Sequence, residues 1–151
     1  EYLTRTQLAM MLPNGIKPWL RMPVTAGFHR PTVYRAYDIL GKFQIWSNNC
    51  RFVPWFEDDG LIGSAPKGVM LSSYRHSKGT LIVIGNMDDS EKHFKLSLNR
   101  QKLDISATAQ IYNAETTALL EKNMVTLPKY DFVILIATED KPEIPTLQQQ
   151  P

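Results

Sequence analysis

The sequence has 151 residues, of which 43% are hydrophobic and 21% charged, and its formal net charge is +2. This composition can form a globular core and excludes an intrinsically disordered chain. The small net charge, with Lys and Arg scattered along the sequence, excludes nucleic acid as the expected partner. The single cysteine, Cys50, excludes an internal disulfide and a cysteine-rich zinc site. No apolar run approaches the roughly 20 residues of a membrane span, so no membrane partner is predicted.

The first third of the chain is predicted to be helical. Helix formers fill residues 2–12, and Pro13-Asn14-Gly15 ends that helix. A short apolar segment follows at residues 16–20. Pro31 suits the first position of a second helix, predicted over residues 31–46, along which apolar residues recur at helical spacing. We therefore predict a helical segment over residues 1–48.

After Asn49 the spacing of apolar residues changes to two, which is typical of strands. Short apolar or alternating runs, separated by turn residues, predict a mainly β domain over residues 49–140, an antiparallel β-sandwich preceded by the short helical segment. Pro54 makes the first strand an edge strand. Residues 141–151, rich in Pro and Gln, are predicted to form a flexible tail. The predicted strands are 50–56, 69–76, 80–86, 94–98, 107–111, 116–120, 124–127 and 132–136.

Five segments of the predicted sandwich stand in a recognisable order. A strand ending in Tyr74-Arg75 is followed by a hairpin and by a strand ending in Asn86, before the acidic turn Asp88-Asp89. Then come an alternating strand with Phe94, Leu96 and Leu98, a strand over residues 109–116, and a last segment that begins with Leu127-Pro128. In this order the segments resemble the C-terminal β-sandwich of many bacterial glycoside hydrolases.

The resemblance implies that a catalytic (β/α)8 barrel precedes this chain and carries the catalytic carboxylates. Residues 2–12 are then similar to the penultimate barrel helix, 16–20 to strand eight, and 31–46 to helix eight. Because barrels hold their chemistry at the carboxyl ends of their strands, the resemblance implies that four residues lie near the mouth of the substrate cleft: Arg21, Met22, His29 and Arg30. The chain begins at Glu1 without Met, and we expect further residues to precede it.

No catalytic residue is predicted within this chain, and we expect it to be no enzyme on its own. Glycoside hydrolysis needs two carboxyl groups placed across the scissile bond. The acidic residues of segments 57–59 and 88–89 are adjacent in sequence and are typical of turns. His29, His76 and His93 lie in separate segments without metal-ligand spacing, so neither a metal nor another cofactor is predicted.

The candidate substrate-binding residues are Trp19, Arg21 and Trp55. The two tryptophans are predicted because aromatic rings stack on the apolar faces of sugars, and Arg21 because the resemblance implies a place near the mouth of the cleft. The segment Phe52 to Phe56 holds three aromatics in five residues. The alternative is that these rings join the helical segment to the sandwich.

Three functions remain open from the sequence. The first is a non-catalytic accessory domain that packs against the preceding barrel of the same protein, through Tyr34, Tyr37, Phe43 and Trp46. The second is a stand-alone carbohydrate-binding module, and the third is a protein-interaction sandwich without a role in sugar binding. The resemblance favours the first function, with a carbohydrate as a further partner, and it implies a periplasmic or extracellular location.

Overall fold

The structure is a computed structural model and describes residues 1–17, 27–57, 65–77 and 79–143. Within these ranges there are two α-helices and seven strands, and short 3₁₀ turns at Leu12–Asn14 and Glu121–Asn123 adjoin them. None of the helices in these ranges is long and apolar enough to cross a membrane. The elements are α1 (Tyr2–Met11), α2 (Arg30–Lys42), β1 (Arg51–Val53), β2 (Val69–His76), β3 (Gly79–Asn86), β4 (Lys92–Lys95), β5 (Gln110–Asn113), β6 (Met124–Leu127) and β7 (Phe132–Thr138).

The strands form two antiparallel sheets. The larger sheet has the order β1-β2-β3-β7-β5, and the smaller one pairs β4 with β6. The hairpin of β2 and β3 pairs Val69 with Asn86 at one end and His76 with Gly79 at the other. The sequence thus predicted the mainly β fold, the central hairpin and the edge position of β1.

The larger sheet is buried on both faces, because alternate side chains of each strand point to opposite sides. On β3, Ile82 and Ile84 face a core shared with the smaller sheet, through Val125 and Leu127 among others. Leu81 and Val83 face a second core, which the helices complete. The molecule therefore has three layers, with the helices on the outer face of the sandwich.

Helix α1 lies directly on β3, and a glycine makes this approach possible. A Cβ atom built on Gly85 would lie 2.2 Å from the carbonyl oxygen of Ala9 and 3.0 Å from Pro13 Cγ. Leu8, Ala9 and Leu12 are buried at this contact. The helix ends where Gly15 adopts a left-handed φ of 70°, a conformation that glycine adopts without strain.

An arginine joins α1 to the far side of the sheet. The Arg5 guanidinium donates to Asp131 Oδ1 at 2.5 Å, to the carbonyl oxygen of Phe132 at 2.8 Å and to both carboxylate oxygens of Glu115 at 3.2 and 3.3 Å. It also lies 4.4 Å from the centre of the Phe132 ring. Burial alone would lower the pKa of Arg5, but Glu115 and Asp131 outweigh that effect and raise it. The arginine therefore stays charged and fixes the orientation of α1 on the sheet.

Several sequence expectations need correction. The segment 116–120 is no strand, and there a single bridge joins Leu119 to Tyr112. Helix α2 ends at Lys42 rather than at Trp46. Phe43, expected on a surface for the barrel, is buried in the chain's own core, where its ring meets that of His76. Strand β5 begins at Gln110, three residues later than expected.

Candidate functional site

Trp55 is the candidate binding residue that the structure describes. It follows β1, the edge strand, after the intervening Pro54. In a strand, Val53 and Trp55 would point to the same side of the sheet. The strand ends at Val53, however, and the two side chains differ: Val53 is buried between the sheets, whereas 43% of Trp55 is exposed. The ring therefore lies at the surface, beside the end of α1.

Hydrogen bonds hold Trp55 at both its backbone and its side chain. Its amide donates to Ser72 Oγ at 2.9 Å, and the Ser72 hydroxyl donates in turn to the carbonyl oxygen of Pro13. The indole Nε1 donates to Asn14 Oδ1 at 3.1 Å. The Asn14 amide nitrogen donates to the carbonyl oxygen of Met10 at 2.8 Å. Contacts from α1, the following turn and β2 thus fix the indole in one place.

Phe56 lies next to the indole and is 64% exposed. The two ring centroids are 5.8 Å apart and the ring planes meet at 84°, an edge-to-face pair. Glu57 follows, is exposed, and closes a turn through its amide, which donates to the carbonyl oxygen of Pro54 at 3.0 Å. We refer to Trp55 and Phe56 as the aromatic corner.

The other aromatic of this segment has a structural role. Phe52 points to the helix side of the sheet, where its ring lies 4.7 Å from that of Tyr74. A Cβ atom on Gly15 would lie 2.7 Å from the same ring. Of the three aromatics between residues 52 and 56, Phe52 therefore joins the helical segment to the sandwich, and the other two remain at the surface.

Trp19 and Arg21, the other predicted binding residues, lie outside the described residues. His29, expected near a substrate cleft, directly precedes α2. Its amide donates to Thr4 Oγ1 at 2.7 Å, and its ring nitrogen Nδ1 shares a hydrogen bond of 2.8 Å with Thr32 Oγ1. His29 therefore joins the start of α2 to α1.

The acidic turn after β3 has the electrostatics of a structural turn. Asp88 accepts a hydrogen bond from Lys92 Nζ at 2.6 Å and one from the amide of Asp89 at 2.7 Å. The hydrogen bond with Lys92 is the largest cause that lowers the pKa of Asp88 to about 2. A general acid in glycoside hydrolysis needs the opposite, a raised pKa. Across the described part of the chain, no three His, Cys, Asp or Glu side chains are grouped to hold a metal ion.

Helix α1 presents an uncharged outer surface, a feature that the sequence analysis did not single out. Leu3 is 75% exposed and Met10 51%, and both lie on the side away from the sheet together with Gln7. The one charged residue of the helix, Arg5, is turned inward. The signal was present in the sequence, since no charged residue occurs between Arg5 and Lys17. We call Leu3, Gln7 and Met10 the α1 outer face.

Helix α2 and the turn that follows it contribute further surface aromatics. The ring centroids of Tyr37 and Trp46 are 4.9 Å apart with the ring planes tilted by 39°, and Lys17 Nζ lies 5.7 Å from the centre of the Trp46 ring. Tyr34 and Trp46 are each about two-fifths exposed. Three of the four residues expected to contact a barrel are thus at least partly accessible, and Phe43 is the exception.

Comparison with known proteins gives a likeness in structure alone. No protein-family model matches the sequence, and no curated protein sequence matches it. A glycoside hydrolase family 30 subfamily 8 xylanase from Clostridium acetobutylicum has a TM-score of 0.51 and 13% identity over 91% of this chain. A family 30 endoxylanase from Clostridium papyrosolvens has a TM-score of 0.48 and 12% identity over 91%. A family 27 β-L-arabinopyranosidase from Geobacillus stearothermophilus has a TM-score of 0.38 and 9% identity over 58%.

The matched regions are parts of longer chains. This chain covers 39% of each xylanase chain and 20% of the arabinopyranosidase chain. At 13% identity, the similarity to the Clostridium acetobutylicum xylanase is one of fold. The chain therefore shares its fold, helices included, with part of a glycoside hydrolase chain.

Proposed function

We propose that this chain is a non-catalytic accessory domain of a glycoside hydrolase-like protein and that it packs against a catalytic barrel of the same protein. The observation that carries the proposal is the α1 outer face. A helix on a protein surface ordinarily bears charged side chains on its solvent side. Leu3, Gln7 and Met10 instead offer an uncharged surface with 75% of Leu3 accessible.

The fold supports the same proposal. The matched region of the family 30 xylanase takes in 91% of this chain, and so includes the helical segment as well as the sheets. That region makes up 39% of the xylanase chain. In this proposal, the rest of the xylanase chain corresponds to a further domain of the intact protein. The helices are therefore the expected boundary between the sandwich and the barrel, and the surface rings of Tyr34 and Trp46 extend the contact beyond α1.

The residues of the chain support a structural rather than a catalytic role. Asp88 is held ionised by Lys92, and Glu115 and Asp131 are occupied by Arg5. Carboxylates held in such ion pairs stabilise the fold. They are not placed to act as the general acid and the second carboxylate that a glycoside hydrolase needs across the scissile bond. In this proposal the chemistry belongs to the barrel.

The first test is the mass of the intact protein in its source. We expect about 250 further residues or more, the size of a (β/α)8 barrel. An intact protein no longer than the 151 residues would overturn the proposal.

The second test places charge on the α1 outer face of the intact protein. Leu3→Lys with Met10→Lys should lower its melting temperature and increase proteolysis between the two domains, because charges would be buried at the boundary. Met124→Lys is the matched control, because Met124 is 48% exposed and lies on the smaller sheet, on the opposite side of the larger sheet from the helices. Equal melting temperatures for both variants would contradict a buried α1 outer face.

A further inference from the structure

The aromatic corner has the properties of a small binding site for sugars. Trp55 and Phe56 offer two accessible rings at nearly a right angle, 5.8 Å apart. Aromatic rings of this size are normally buried, since burying one contributes about 1.5–3 kcal/mol to the stability of the fold. Here the fold holds the larger ring in place while leaving it 43% exposed.

The indole is fixed before any ligand arrives. Its N–H is already bonded to Asn14, and its backbone amide to Ser72. A side chain that is already ordered loses little conformational entropy on binding, which favours affinity for a small ligand. Because the indole N–H is occupied within the protein, the ring face is the part of Trp55 left for recognition.

A ring face recognises a particular chemistry. The π-system carries partial negative charge on its face, and it attracts the weakly positive C–H groups on the flat side of a pyranose. Glu57, exposed and next in sequence, brings a carboxylate that can accept hydrogen bonds from sugar hydroxyl groups. Apolar ring faces beside a hydrogen-bond acceptor suit an uncharged sugar better than an anionic one, which the carboxylate would repel.

We propose that the aromatic corner binds an uncharged polysaccharide of linked pyranose units, with one sugar stacked on Trp55 and Phe56 bordering it. The site holds substrate and carries out no reaction. It needs only residues of this chain, so it does not depend on whether a barrel packs against α1.

The test is affinity electrophoresis of the 151-residue chain in gels that contain soluble xylan or hydroxyethylcellulose. We expect the chain to be retarded by at least one of the two polysaccharides. Titration calorimetry with xylohexaose or cellohexaose then gives the dissociation constant. Trp55→Ala should raise that constant about tenfold or more, as when a central aromatic contact of a binding site is removed.

Two further variants separate binding from folding. Phe56→Ala removes an exposed ring with little effect on the fold and should also weaken binding. Trp46→Ala removes a tryptophan of similar exposure beside α2 and should leave the dissociation constant unchanged. The proposal is overturned if neither polysaccharide retards the wild-type chain, or if Phe56→Ala and Trp46→Ala change binding equally.

Discussion

At the scale of single residues, the contacts of Arg5 explain why the outer side of α1 carries no charge. It is the only charged residue of α1, and its contacts with Glu115 and Asp131 draw that charge to the inner side. The side chains of Glu115 and Asp131 are only 12% and 19% exposed, so the contacts with Arg5 offset part of the free-energy cost of removing them from water. The outer side of α1 is left without charge as a consequence.

Tyr74 is the residue for which the structure predicts a pH dependence. Burial, with a smaller contribution from the thiol of Cys50, raises the pKa of Tyr74 from 10.0 to about 12. Below pH 10 the phenol is protonated in the folded and the unfolded chain alike. Between pH 10 and about 12 the unfolded chain releases this proton while the folded chain keeps it, so the free energy of unfolding falls as the pH rises.

Urea unfolding from pH 8 to pH 12 checks this expectation. Tyr74→Phe should lose less stability over that range than the parent protein. Burial also raises the pKa of the Cys50 thiol, so both proteins are compared in a Cys50→Ala background. Parallel stability curves for the two proteins would show that Tyr74 does not ionise differently in the folded state.

At the scale of elements, the contact between α1 and β3 depends on Gly85. The Ala9 carbonyl lies where a side chain at position 85 would begin. Helices and sheets pack at a spacing set by the side chains between them, so the missing side chain lets α1 approach the sheet closely.

Gly85→Ala should therefore destabilise the protein by about 1–3 kcal/mol, the usual cost of overpacking a core. The measurement is the midpoint of urea unfolding by circular dichroism. Gly27→Ala is a useful comparison, because Gly27 has a φ of +67° but nothing within 4 Å of an added Cβ. The destabilisation by Gly27→Ala would come from the backbone conformation alone and would be about 1 kcal/mol. A smaller loss for Gly85→Ala than for Gly27→Ala would argue against the close contact.

The positions of α1 and of the central strands were predictable because local patterns determine them. Pro13-Asn14-Gly15 ends a run of helix formers, and Gly15 does adopt the left-handed conformation of a helix end. The two apolar runs of β2 and β3 are joined by a short turn. The spacing of apolar residues predicts a strand at 116–120, but Thr117 has a φ of 57° and lies in a turn that this spacing does not reveal.

At the scale of the whole molecule, the helices and the larger sheet of the sandwich share one of the two cores. Ile39 and Leu40 of α2 belong to the same cluster as Leu81 of β3 and Ile134 of β7. The boundary near residue 48, where helical spacing gives way to strand spacing, is therefore a change of secondary structure within a continuous packing unit.

This arrangement predicts cooperative unfolding. Helix content, followed by far-ultraviolet circular dichroism, and tryptophan fluorescence should report coincident transitions in urea, as a two-state unit requires. Separate midpoints would mean that the helical segment and the sandwich unfold independently.

The sequence by itself determined the class of the fold, since the period of apolar residues changes from helical to strand spacing near residue 49, and local turn residues mark most element ends. It also identified Trp55 as a candidate binding residue. Only the tertiary structure decided which aromatics are buried. Phe43 is buried and Phe52 half-buried against partners distant in sequence, whereas Trp55 is held at the surface by Asn14 and Ser72. Such contacts depend on how the layers meet, and no local pattern encodes them.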